Sequence, residues 1–172
     1  IDLGGRTLTL AGSGGNLVAG GAAAGARTIT GTGTLAFEGA KTIVGESGRT
    51  WAFDVGVRVL LSGVAVDFGS AVSTIRGALE LTGGAQVSGS PPSYAAGSTL
   101  RYNVGGPYGR GLEWSATSGP GYPAHVELTG GTGYMCGRTA QSRGYCWGFH
   151  RFGALGTGST SESIPTPIRF SE

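Results

Sequence analysis

Two cysteines, ten carboxylates, two histidines and a short run of aromatic residues are the groups in this chain that could do chemistry. Cys136 and Cys146 flank nine residues. An antiparallel hairpin turning near Gln141-Ser142-Arg143-Gly144 would set them opposite each other. A disulfide closing a loop of that length contributes very roughly 2–3 kcal/mol if unstrained. Two free buried thiols are the alternative. Zinc is a poorer fit, because two cysteines without a nearby histidine pair fall short of four ligands.

Glycoside hydrolysis would need two carboxylates about 5–10 Å apart. Asp2, Glu38, Glu46, Asp54, Asp67, Glu80, Glu113, Glu127, Glu162 and Glu172 form no close pair in sequence. Glu80 lies between Leu79 and Leu81, and Arg58 between Val57 and Val59. Alternation therefore predicts that both point away from the core. His125 and His150 have neither a serine nor an acid in supporting order, and the glycine-rich runs lack a P-loop lysine. The expectation is no catalytic residue, no metal and no cofactor. Tyr102, Tyr108, Trp114 and Tyr122 offer either a face for stacking on sugars or filling for a widened end of the fold.

Charged residues make up 13% of the chain, about half the usual share, so Ser, Thr and Gly must coat much of the surface. The net charge is +2, and Arg6, Arg27, Arg49, Arg58, Arg76, Arg101 and Arg110 are scattered along the sequence. Without a basic cluster, binding to nucleic acid or an anionic membrane has little electrostatic support. No apolar run approaches the ~20 residues of a membrane-spanning helix. The chain opens at Ile1 without a methionine or a signal peptide, as a processed secreted protein or an excerpt of a longer one would.

The elements that must position these residues are short strands. Thirty-six of 172 residues are glycine, against a usual ~7%. They separate runs such as Thr34-Leu35-Ala36-Phe37, Val57-Arg58-Val59-Leu60 and Ala78-Leu79-Glu80-Leu81. Turns so frequent leave no room for ordinary helices. Leu35 and Phe37, Val57 and Val59, and Leu79 and Leu81 recur 22 residues apart. Ile29 to Trp51 and Val44 to Val66 repeat the interval, with Phe68 on the face of Val66. Such a period suits a coil of three strands and their turns, stacked so that each rung buries what it cannot bury alone. A β-sandwich is the competing arrangement. No charged capping helix precedes the first rung, so its strand edges are expected to be open.

Residues 89 to 133 change character, with Pro91-Pro92 breaking the repeat and tyrosines entering. The stretch from Tyr94 to Asn103, then Gly105-Gly106-Pro107-Tyr108 through Leu112-Glu113-Trp114, Gly121-Tyr122-Pro123 and His125-Val126-Glu127-Leu128, resembles a segment of large bacterial secreted β-helix proteins. The resemblance implies that the solenoid continues here with longer loops, and carries no catalytic role.

Residues 134 to 170 hold the most specific pattern: Cys136, Tyr145-Cys146-Trp147-Gly148, Phe152-Gly153-Ala154-Leu155-Gly156 and Ile164-Pro165-Thr166-Pro167-Ile168. This order resembles the regulator of chromosome condensation repeat, particularly its bacterial secreted versions with paired cysteines. In that family each repeat supplies strands to a blade of a seven-bladed propeller. Phe149 stands where the family usually has an acid, and a single copy cannot close a ring, so nucleotide-exchange activity does not carry over.

Together these readings predict an all-β, extracellular or cell-surface protein. A right-handed parallel β-solenoid of about 22 residues per coil would occupy 1–128, looped and aromatic-rich over 89–128. A small antiparallel hairpin module resembling one propeller blade would occupy 129–172. The expected role is that of a subunit in a homopolymeric filament or surface layer. Ile1, Leu3, Pro165, Pro167, Ile168 and Phe170 would form the assembly segments, the last four donated as a strand. Adhesion or glycan binding through Tyr102, Tyr108, Trp114 and Tyr122 is the alternative. Neither nucleic acid nor membrane insertion is expected.

Overall fold

A computed structural model of the chain describes residues 1–12, 14–21, 25–69, 73–104 and 110–128, and strand backbone at 134–138 and 144–148. Three short strands and three turns make each rung. The first rung comprises β1 (Thr7–Leu10), β2 (Asn16–Ala19) and β3 (Ala26–Ile29). The second comprises β4 (Thr34–Phe37), β5 (Lys41–Gly45) and β6 (Thr50–Phe53). The third comprises β7 (Arg58–Ser62), β8 (Ala65–Asp67) and β9 (Ser73–Ile75), and the fourth β10 (Ala78–Thr82), β11 (Gln86–Val87) and β12 (Ser93–Tyr94). β13 (Thr99–Asn103) opens a fifth rung, and β14 (His125–Leu128) stacks beneath it.

Each strand pairs in parallel with its counterpart one rung away, giving three sheets in the orders β1-β4-β7-β10-β13-β14, β2-β5-β8-β11 and β3-β6-β9-β12. The protein is thus an all-β parallel solenoid of about five turns, with no α-helix among the described residues. A separate antiparallel pair joins β15 (Tyr134–Arg138) to β16 (Gly144–Gly148).

Alternation within the first sheet builds two inward ladders. Leu8, Leu35, Val59, Leu79, Leu100 and Val126 form one; Leu10, Phe37, Leu61, Leu81, Tyr102 and Leu128 form the other. From Leu35 to Leu100, and from Phe37 to Tyr102, every member is buried. Stacking like on like at the ~4.8 Å strand spacing keeps this narrow interior filled without layers of helix.

The equal 22-residue interval is corrected by the register. Leu35 pairs with Val59 and Val59 with Leu79, offsets of 24 and 20 that average to the expected figure. Elsewhere the offset runs from 19 (Ile75 to Tyr94) to 27 (Leu8 to Leu35). Ile29 likewise pairs with Phe53 rather than Trp51, and Val66 with Lys41 rather than Val44. The turns absorb the variation. The two-residue slip from Trp51 to Phe53 preserves which face is buried, whereas the three-residue slip from Val44 to Lys41 reverses it, and Ile43 rather than Val44 is the buried residue of β5.

Glycine is required where rungs approach most closely. At Gly77, a Cβ would run into the backbone carbonyl oxygens of Val57, Asp54 and Val55. At that position the turn packs backbone on backbone.

Candidate functional site

Three regions of the solenoid leave groups available or unexplained. The first is the rim of rung one. β1 and β2 have a paired neighbour on one side only. The carbonyls of Arg6 and Leu10 accept from Thr34 and Glu38 of the next rung. Alternation in a parallel ladder then directs the N–H and C=O groups of Thr7 and Thr9 to the open edge. Leu8 belongs to an inward ladder yet is 37% exposed, and Leu10 and Leu17 are half-buried. β3 is partly covered: Leu3 N donates to Thr30 O at 2.9 Å, and Thr30 N to Ile1 O at 2.8 Å.

The second region is the fifth rung. Beyond β13 the second and third sheets are replaced by a 3-10 turn, Leu112–Trp114, and an irregular return through Gly121. Glu113 from that turn is completely buried. Its Oε1 accepts from the Tyr102 hydroxyl at 2.9 Å and from Gly111 N at 2.6 Å, while its backbone carbonyl accepts from the Tyr94 hydroxyl at 2.9 Å. Oε2 has no hydrogen-bond partner among the described residues. Gly121 N reaches Pro92 O at 2.9 Å, fastening the return to rung four. Burial pushes the Tyr94 phenol well above its ordinary range, and the nearby Glu113 carboxylate adds to the shift. The arrangement closes the interior with side chains instead of strands.

The third region lies on the outer face. Arg58, Arg76 and Arg101 line a shallow groove of about 220 Å³ at the corner entering the first sheet. Glu80 sits beneath it, its side chain only 6% exposed, 3.4 Å from both Arg58 and Arg101. Asn103 Nδ2 donates to its other oxygen at 3.3 Å. Arg101 also pairs with Glu127 at 2.7 Å, and chiefly that hydrogen bond raises its pKa. Glu80 is on the outward face as expected, but it is covered by the guanidinium groups and not solvated. The reading of the arginines as scattered needs the same correction: coiling brings three of them to one corner. Their separations in sequence, 18 and 25 residues, are near a coil length, and that was the available signal.

No family model, curated protein or solved structure matches this chain.

Of the aromatic residues offered for sugar stacking, the structure buries one. Tyr102 is 3% exposed and belongs to the interior ladder, because it lies two residues beyond Leu100 in strand alternation. Trp114 is half-buried against the core and lies under the Arg110 guanidinium, 5.6 Å from its ring centroid. Tyr122 is 49% exposed. Tyr108 lies outside the described residues. Among the assembly residues, Ile1 is 64% exposed but Leu3 is buried in the core, so Leu3 supports the first rung and is not a surface contact. Pro165, Pro167, Ile168 and Phe170 lie outside the described residues, as does His150. Cys136 and Cys146 are direct partners in the β15–β16 register, though their side chains are outside what is described. Glu113 was the group that sequence reasoning missed, for an acid between Leu112 and Trp114 carries no mark of burial.

Among the described residues, no three of His, Cys, Asp and Glu gather as metal ligands, and no helix is long and apolar enough to cross a membrane.

Proposed function

We propose that this protein is a structural subunit that extends by stacking, with the rim of rung one as its receiving surface. The carrying observation is the conjunction of an unpaired strand edge on β1 with an inward leucine, Leu8, 37% exposed. A strand laid on that edge would gain main-chain pairing through Thr7 and Thr9 and would cover Leu8, Leu10 and Leu17 together. A contact of this head-to-tail kind does not close on itself and so propagates. The solenoid is taken as right-handed, the hand of nearly all crossovers between parallel strands.

The segment around Pro165, Pro167, Ile168 and Phe170 is the proposed donor. The hairpin of β15 and β16 is proposed as a single blade-like repeat bearing a Cys136–Cys146 disulfide, which fits an oxidising extracellular setting. In this reading the protein is not an enzyme.

Electron microscopy and sedimentation of the purified chain test the assembly. Fibres or a concentration-dependent ladder of oligomers are expected, and Leu8→Lys should abolish them by placing a charge on the rim while leaving the circular dichroism spectrum unchanged. A monomer at high concentration, or assembly indifferent to Leu8→Lys, would refute the proposal.

A further inference from the structure

The groove at the corner of the first sheet is a second surface, independent of the rim and of any assembly through it. It is lined by Arg58, Arg76 and Arg101 together with Val55, Gly56, Val57, Gly77, Ala78, Gly97 and Thr99, and no carboxylate lines it. The acids that balance it lie underneath or to the side: Glu80 is buried below, Glu127 holds Arg101 Nε and Nη2 at 2.7 Å, and Asp54 approaches Arg76 only to 3.8 Å. The Arg76 guanidinium makes no hydrogen bond among the described residues, and its side chain is 47% exposed. Arg58 spends Nε on Thr34 Oγ1 and Nη1 on Glu80, leaving Nη2 without a partner among the described residues.

We propose that this groove binds an acidic polysaccharide lying along the solenoid axis. Three features of the site select that class. First, the cations recur along the stack: the β7 strand of Arg58 and the β13 strand of Arg101 are two rungs apart, about 9.6 Å at the usual strand spacing. A polymer with repeated acidic groups can engage such an array, whereas a single small anion meets one arginine at a time. Second, the floor is glycine backbone at Gly56, Gly77 and Gly97, which leaves room for the flat, hydroxyl-rich body of a sugar. Thr99 adds a hydroxyl. Third, no aromatic side chain lines the groove, so the stacking platform that single-stranded nucleic acid uses is missing. Glu80 fixes the guanidinium groups of Arg58 and Arg101 from below, which reduces the freedom they would lose on binding.

Isothermal titration of the full chain with polygalacturonate at low salt tests the assignment. Neutral dextran and single-stranded poly(dT) serve as comparison ligands, and Arg76→Gln and Arg110→Gln as variants. Saturable binding of polygalacturonate is expected, without binding of dextran. Arg76→Gln should weaken it roughly tenfold, the scale of one hydrogen bond to a charged group, and Arg110→Gln should leave it unchanged. Affinity should fall steeply as salt rises. No binding of polygalacturonate at low salt would overturn the proposal. So would equal losses in the two variants, or tighter binding of poly(dT) than of polygalacturonate. Fibre formation by electron microscopy is a separate readout, so failure here leaves the assembly reading to stand or fall on its own test.

Discussion

The two ends of the solenoid solve the same problem in opposite ways. Rung one presents the unpaired edges of β1 and β2 and a part-exposed inward leucine, Leu8, whereas rung five replaces two of its strands with a turn that brings Glu113 into the interior. A stacked fold buries each rung with its neighbours, so its ends are the only places where the interior meets solvent. At the irregular end Tyr102, Gly111 and Tyr94 donate to Glu113, leaving Oε2 without a partner among the described residues. At the regular end, Thr7 and Thr9 keep their unpaired backbone groups. β14 is an edge strand as β1 is, so the difference lies in the interior: rung one meets its rim with the part-exposed Leu8, whereas rung five is filled by the Glu113 turn.

The sharpest way to break this contrast uses one ladder at two heights. Leu79 is fully buried in rung four, and Leu8 occupies the same ladder at the rim. Leu79→Ala should cost about 2–5 kcal/mol by denaturant unfolding of the monomer, including the cavity it leaves. Leu8→Ala should cost under about 1 kcal/mol, because much of its surface is already in water. Equal losses would mean that the rim is covered in solution, and the contrast between the ends would collapse.

Glu113→Ala probes the closed end. It strands the Tyr102 hydroxyl and the Gly111 N–H, and a loss of about 2–4 kcal/mol is expected. Glu113→Gln retains an acceptor for both donors and should lose less. If both variants unfold at the denaturant concentration of the parent, Glu113 does not fasten the closure.

Alkaline pH should destabilise the end that Tyr94 helps to close. The Tyr94 phenol has its folded-state pKa raised above the ordinary value of about 10, mainly by burial. Below that pH the phenol is neutral in folded and unfolded chains alike, so its contribution to stability is fully present. Above it the unfolded chain releases a proton that the folded chain keeps, and stability falls by up to about 1.4 kcal/mol per pH unit. Tyr94→Phe should flatten the fall in unfolding free energy between pH 10 and 11 relative to the parent. Identical slopes for the two proteins would show that Tyr94 ionises in place, and hence that the closed end is wet.

The strands and their buried faces were legible because alternation is a local property, repeated whenever Leu35-x-Phe37 or Leu79-x-Leu81 recurs. Pairing partners were less so. Turn lengths differ between rungs, and the slip from Val59 to Val57 leaves the same face inward, so the sequence pattern could not reveal it. Of the two readings open for Tyr102, filling the fold is the one its burial supports, and extending Leu79-x-Leu81 to Leu100-x-Tyr102 was the signal for it. For another reason, Glu113 was beyond reach and the arginine corner was signalled only by its near-coil spacing. Their neighbours come from other rungs, and only the register brings Tyr94 to Glu113 or Arg58 and Arg101 to Glu80.

The smallest effect concerns what steadies the open end. Lys41, the sole lysine, extends from β5 in rung two to the turn after β1, donating to the carbonyls of Gly12 and Gly14 at 2.7 Å each and of Ala11 at 3.5 Å. An ammonium has three donors on one nitrogen, so it can gather carbonyls that point to a common centre where a glutamine cannot. These bonds tie the first rung to the second outside the sheets. Lys41→Gln should therefore change global stability by no more than about 1 kcal/mol, given the exposure of the contacts. Its effect should be local: amide hydrogen exchange across Ala11–Leu17 should quicken while the buried strands β7 and β10 stay protected. If exchange quickens equally in all rungs, the first rung is not an independently opening unit. If no segment responds, the turn is held by its own glycine conformations, and the open rim needs no lysine to keep its shape.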